Sequence, residues 1–236
     1  MHILPLRLEG VVLERRGVRL LDELSFQLER GPCSVILGPN GAGKTLALRV
    51  CNGLLPPDAG RVIWDGPDAH QAARGRALVF QRPMLLRRSA WANVDYALRL
   101  RRIPKPERDQ RIETVLRETR LLTLASRPAR QLSGGEQQRL ALARAWAMDP
   151  SVLFLDEPAA ALDPGSTRAL EEAIRAVRAS GTKIVMTTHD LAQAERMADE
   201  ILFLHQGRLL EQTPAADFFA GPRTDEARAF LKGEVL

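Results

Sequence analysis

The residues that could do chemistry in this chain fall in three short stretches. Gly38-Pro39-Asn40-Gly41-Ala42-Gly43-Lys44-Thr45 fits the pattern G-x-x-x-x-G-K-S/T and stands between an apolar run, Cys33 to Leu37, and a segment of helical periodicity. Glycines let successive backbone N–H groups curl around phosphate oxygens, and the helix that follows points its positive end at them. Lys44 adds a point charge and Thr45 a hydroxyl suited to Mg²⁺. The second stretch, Val152-Leu153-Phe154-Leu155-Asp156-Glu157, ends an apolar run in two adjacent carboxylates. Alone, such a pair reads as strand-end solubility. Beside a phosphate loop it reads as the other half of a site, because ligands of open α/β sheets bind at strand C-termini. Asp156 would then hold Mg²⁺ through its water shell, and Glu157 would reach a water attacking a γ-phosphate. In the third stretch, Leu132-Ser133-Gly134-Gly135-Glu136-Gln137, Ser133 and Glu136 have capping-box spacing, so a helix starts there with two glycines for close approach. A helix N-terminus is also an anion site.

The elements that must position these groups are legible as patterns. Leu24, Phe26 and Leu28 alternate with polar residues, as in a half-buried strand, and the stretch from Leu6 to Leu13 is similar, so the chain begins β-rich. Asp65-Gly66 and Gln206-Gly207 are turn signals beside short apolar stretches and predict small hairpins. Cys33 to Leu37, Ala77 to Phe80, Val152 to Leu155 and Lys183 to Thr187 are apolar without alternation, the mark of buried strands in a parallel α/β sheet. From Ser89 to Ala147 no strand is expected. Ala90 to Leu100, Glu107 to Thr119 and Gly135 to Ala147 have helical periodicity, with Pro104 and Pro106 between the first two. The expectation is a single domain over residues 1–236, with an α/β core and β subdomain from 1–80 and 148–236 and a helical insert from 81–147.

Composition excludes several classes. The 236 residues are 45% hydrophobic, ample for a packed core, yet no apolar run approaches a bilayer span. Met1 to Arg7 has neither a basic leader before an apolar stretch nor a cleavage site, so secretion is not expected. The tail after Gln212 is too short for an added regulatory domain. Cys33 and Cys51 lack metal-ligand spacing and read as reduced small hydrophobes. The net charge of +5 is carried largely by arginines spread among acids rather than interleaved with aromatics, so no nucleic-acid partner is expected. From Arg74 to Arg130, however, fifteen Lys or Arg face five Asp or Glu. That reads plainly as a solvated helical surface, and functionally as a face held near anionic headgroups or an acidic partner loop.

With the phosphate loop before it and the carboxylate strand after it, the hexapeptide 132–137 resembles the signature motif of the ABC (ATP-binding cassette) ATPase family, over nearly the whole chain. The resemblance implies a P-loop (RecA-like) parallel-sheet core, an N-terminal antiparallel β subdomain and an inserted α-helical subdomain carrying the signature. It implies ATP and Mg²⁺ as cofactors, with Thr45, Gln81 and Asp156 toward the metal and Glu157, His189, Gln81 and Lys44 as the catalytic set. Gln81 is similar to the Q-loop glutamine, which also links core and insert, and His189 to the switch histidine at the γ-phosphate. Asp163, in Ala161-Leu162-Asp163-Pro164, matches the D-loop aspartate that communicates across the dimer. Ser133, Gly134, Gly135 and Glu136 would face ATP held by an opposite chain, so an ATP-dependent head-to-tail homodimer is implied. One departure stands out: Val12-Leu13-Glu14-Arg15-Arg16-Gly17 has no aromatic where the family stacks adenine. Arg16, or else Arg15, occupies the place, and a guanidinium plane can also lie against a base.

A free-standing cassette is expected, and its signature follows Ser126-Arg127-Pro128-Ala129-Arg130-Gln131, as in many bacterial importers. The resemblance thus implies a peripheral subunit on the cytoplasmic face of the membrane, energising separate permease subunits and indirectly served by a solute-binding protein. Residues 80–89 followed by Asn93-Val94 resemble importers of oxyanions, tungstate in particular. The competing class is a non-transport ABC ATPase acting on nucleic acid or the ribosome. Long coiled coils or tandem cassettes would mark it, and neither is present in this sequence. A structural nucleotide-binding module is disfavoured by intact Lys44, Asp156, Glu157 and His189.

Overall fold

A computed structural model describes residues 3–66 and 69–234. The chain opens with β1 (Leu6–Arg15) and β2 (Val18–Leu28), then β3 (Ser34–Leu37), α1 (Lys44–Asn52), β4 (Ala59–Trp64), α2 (Ala69–Arg74) and β5 (Arg76–Val79). Three helices follow: α3 (Ala90–Leu100), α4 (Lys105–Glu118) and α5 (Gly134–Trp146). The remainder is β6 (Val152–Asp156), α6 (Pro164–Ala179), β7 (Lys183–Thr188), α7 (Leu191–Met197), β8 (Glu200–His205), β9 (Arg208–Pro214), α8 (Ala215–Ala220) and α9 (Asp225–Leu231).

Strands β2-β1-β4 form an antiparallel sheet. Arg16 and Gly17 both take positive φ, 54° and 77°, giving the two-residue turn whose twist suits a hairpin. Along β1 the buried set is Leu6, Leu8, Val11 and Leu13, so the alternation shifts phase once. The shift falls where the register with β2 slips between Leu8 and Val11, a bulge in which Gly10 N–H donates to Ser25 Oγ at 2.9 Å. The second sheet runs β5-β6-β7-β3-β8-β9, parallel except for β9. Strands β3, β6, β7 and β8 are buried on both sides, and successive side chains sort cleanly to opposite faces. Ile36, Phe154, Val185 and Leu202 pack with α1 and the antiparallel sheet, while Val35, Leu153, Ile184 and Phe203 pack with α6 and α7.

Two strand expectations need correction. Gln206-Gly207 closes the β8–β9 hairpin, but Asp65-Gly66 does not close one: β4 pairs with β1, and the next described element is α2. Strand β5 lies at the sheet edge, so only Val79 is buried along it. Helix α4 begins two residues before Glu107, because Pro106 sits in the first turn where a missing N–H costs nothing. Both cysteines are free and buried, which pushes each thiol up to about 12.

The insert has a core of its own. Val94 and Leu98 from α3, Ile112 and Leu116 from α4, and Leu140 and Ala143 from α5 form a cluster distinct from those on the faces of the parallel sheet. Leu116→Ala should therefore lower stability by about 2–5 kcal/mol through the cavity it leaves. Hydrogen exchange should show the loss first across α3 and α4 rather than in β3 and β7, and uniform loosening of the sheet would contradict a separate core.

A candidate nucleotide site at the strand ends

The loop of residues 38–43 leaves the C-terminal end of β3 and enters α1. Its first residue passes so near β8 that a Cβ on Gly38 would lie 2.1 Å from the Leu204 carbonyl oxygen, which excludes any side chain. Its last, Gly43, caps α1 at φ 96° without a side-chain hydrogen bond, leaving that end of the helix to its backbone N–H groups. Lys44 folds back over the loop, donating to the carbonyls of Gly38 at 2.8 Å and Pro39 at 2.9 Å. It is 5% exposed, and burial pulls its pKa below the ordinary lysine value, opposed by the carboxylates of Glu157 and Asp156.

Asp156 ends β6 nearly buried. Its Oδ1 accepts from Thr45 Oγ1 at 2.8 Å and from Thr187 Oγ1 at 2.9 Å, joining α1 and β7 to β6. Glu157 turns away at φ 41°. One of its carboxylate oxygens lies 3.7 Å from Lys44 Nζ and the other 3.3 Å from His189 Nδ1. A cleft of about 610 Å³ is walled by residues 40–46, with Gln81, Glu157 and His189 converging from three other segments and Leu20 from β2. Among the described residues no group of three or more His, Cys, Asp or Glu could hold a metal. The hard oxygens of Thr45 and Asp156 meet at the foot of the loop and fit Mg²⁺, which takes one or two protein oxygens and fills its shell with phosphate and water.

The structure thus brings together the phosphate loop, Gln81, Asp156, Glu157 and His189. It leaves three expected groups outside the cleft. Ser133 caps α5 in the expected capping box: its N–H donates to Glu136 Oε2 at 2.7 Å, and its Oγ accepts from Glu136 N–H at 3.3 Å. Gly134 is exposed beside it, whereas Gly135 packs so tightly on the start of α6 that a Cβ would lie 2.5 Å from Ser166 Oγ. Asp163 caps α6, accepting from Ser166 N–H at 3.0 Å, so signature and D-loop candidates share a seam. Arg16 is exposed at its hairpin turn while Leu20 lines the cleft, and Arg15 is drawn to Asp58 at 3.0 Å.

Two residues at this site went unnoticed in the sequence. Thr187 follows the apolar run Ile184-Val185-Met186 in β7, and its hydroxyl meets both carboxylate residues. Gln138, 2% exposed on α5, donates from Nε2 to the carbonyl of Phe80 at 3.2 Å, just before Gln81. A polar side chain at a buried position of each element was the available signal.

A phosphate loop after β3 of a parallel sheet, facing a carboxylate pair at the end of β6, defines a P-loop ATPase. The ABC transporter family model matches residues 21–160, and the chain belongs to that family, whose ATPases hydrolyse ATP to power transport. It is 37% identical to the phosphate import ATP-binding protein PstB 2 of Natronomonas pharaonis, over 93% of this chain and 84% of that one. It is 41% identical to the tungstate uptake system ATP-binding protein TupC of Peptoclostridium acidaminophilum, over 83% of this chain and 92% of that one. Among solved structures, cbiO1 from Clostridium perfringens, part of the ABC transporter complex cbiONQ, superposes with a TM-score of 0.83 at 27% identity, covering 96% of this chain and 94% of that one.

The Gly135 contact yields a stability prediction. Gly135→Ala should cost about 1–3 kcal/mol, because the methyl must displace Ser166. Adding Ser166→Gly should recover part of that loss in chemical denaturation. Strict additivity of the two changes would show that the clash is relieved elsewhere.

Proposed function

We propose that this chain is the ATP-hydrolysing subunit of an importer, held peripherally on the cytoplasmic face of the membrane by separate permease subunits, with a solute-binding protein upstream. The observation that carries the hydrolytic part is the bracketing of Glu157 between Lys44 and His189 at 3.7 and 3.3 Å in one cleft with the phosphate loop. Import of an oxyanion is supported by the two relatives above, whose names specify phosphate and tungstate, both tetrahedral oxyanions.

In this reading the loop N–H groups and the α1 terminus bind the nucleotide phosphates, and Lys44 exchanges the Gly38 and Pro39 carbonyls for phosphate oxygens. Thr45, Asp156 and Gln81 hold Mg²⁺, which when bound neutralises charge on the phosphates. Glu157 takes the proton of the attacking water as its oxygen bonds to the γ-phosphorus and the bond to the leaving ADP oxygen breaks. His189 orients that carboxylate through Nδ1. The adenine lies toward the hairpin turn, with Arg16 in place of an aromatic ring.

Ser133 to Glu136 are not part of their own chain's cleft, which supports a head-to-tail homodimer in which each signature closes on the partner's nucleotide. Permease contact is assigned to the exposed stretch after Gln81, where Arg82, Arg87 and Arg88 flank Met84, itself 72% exposed.

Glu157→Gln should keep ATP binding and lose about 10² to 10⁴ in hydrolysis rate, accumulating an ATP-locked dimer. A near wild-type rate would remove Glu157 as the base. For the shared site, Lys44→Ala and Ser133→Arg should each be inactive alone. A mixed dimer pairs one intact loop with one intact signature, so mixing should restore part of the activity. Hydrolysis should also rise more steeply than linearly with protein concentration until dimers saturate. Linear hydrolysis by a species shown to stay monomeric with ATP would exclude the shared site.

A further inference from the structure

Strand β7 ends Thr187-Thr188 and is followed by His189, and each of the three side chains meets a different part of the site. His189 meets Glu157, and Thr188 Oγ1 accepts from Asp190 N–H at 3.1 Å, shaping the turn into α7. Thr187 stands at the last position of β7 paired with β6. It is the direct cross-strand partner of Asp156 and is fully buried. Its Oγ1 accepts from the backbone N–H of Glu157 at 2.9 Å, and the same oxygen donates to Asp156 Oδ1 at 2.9 Å. A hydroxyl has one proton. With its acceptor side taken by an amide, that proton has a single direction, toward the carboxylate.

We propose that Thr187 is a positioning residue for hydrolysis: its one hydroxyl sets the rotation of the Asp156 carboxylate and pins the backbone of Glu157 in its left-handed turn. This rests on the reading of Asp156 and Glu157 given above. Three observations carry it further. Glu157 has φ 41°, an uncommon conformation for a residue other than glycine, and the Thr187 bond holds its amide there. Asp156 Oδ1 has a second donor, Thr45, but that hydroxyl is the one expected to turn toward Mg²⁺, which leaves Thr187 as the unchanging anchor of the carboxylate. Packing does not demand threonine here, since valine has the same branched shape and suits a buried strand better. The hydroxyl therefore answers to the carboxylates and not to the core.

The test compares Thr187→Val, Thr187→Ala and Thr187→Ser in the full chain. Alanine and serine both lack the methyl and differ only in the hydroxyl, so their ratio stands even if valine destabilises the fold. Thr187→Ser should hydrolyse ATP within about threefold of wild type, whereas Thr187→Ala and Thr187→Val should lose roughly ten- to a hundredfold in kcat, the weight of a hydrogen bond to a charged group. KM should move far less than kcat. Calorimetric ATP affinity without Mg²⁺ should match wild type in all three, while the Mg²⁺ concentration that half-maximally tightens ATP binding should rise in the alanine and valine variants only. Equal kcat for Thr187→Ala and Thr187→Ser would overturn the proposal, as would a parallel fall of Mg²⁺-free ATP affinity and melting temperature, which marks a packing role. Glu157→Gln serves as the reference: if it hydrolyses ATP normally the underlying reading fails, and if it is inactive while alanine equals serine, only the role of Thr187 fails.

Discussion

Asp156 Oδ1 receives one hydroxyl from α1 and another from β7, so a single carboxylate oxygen ties a helix and two strands at the foot of the phosphate loop. Much of the architecture serves that convergence. The loop must leave β3 at the same height as β6 ends, and the parallel order β6-β7-β3 places both C-termini on one edge of the sheet with β7 between them. Gly38 lets the loop graze the Leu204 carbonyl there. Moving any of these strands by one residue would exchange the side chains on its two faces and shift its C-terminal end relative to the cleft.

The sheet can hold that edge steady because both of its faces are covered. Alternate residues of β3, β6, β7 and β8 feed two separate apolar clusters, so none of these strands can slip without exposing both. The helical insert has its own core and meets the rest largely through α5, whose Ala141 and Leu142 pack into the cluster on one face of the sheet and which makes further close contacts. Two of these, Gly135 on Ser166 and Gln138 on Phe80, lie at the signature helix itself.

How legible this was depended on whether a residue's role is local. The phosphate loop, the capping box and the fully buried strands β3, β6 and β7 are written in neighbouring residues, and they stood out. The edge position of β5 and the fate of Asp65-Gly66 depend on which strand lies alongside, a long-range fact that no turn signal encodes. The same holds within the site. Glu157 was readable from its place after an apolar strand, whereas Thr187 acquires its role only by pairing with Asp156 across 31 positions of sequence. Arg16 was inferred from a missing aromatic; it is exposed at its hairpin turn, and from the same sheet Leu20 lines the cleft.

The bond from Gln138 to the carbonyl of Phe80 joins two levers at one pivot. Phe80 leads directly into Gln81, which lines the cleft of its own chain, while Gln138 rides one turn along the helix capped by Ser133. A rotation of the insert that keeps this bond moves the helix tip and Gln81 together. In the head-to-tail pair proposed above, the tip and Gln81 would serve different nucleotides, so one rigid body would read the occupancy of two sites at once and carry a single angle to whatever grips its outer surface.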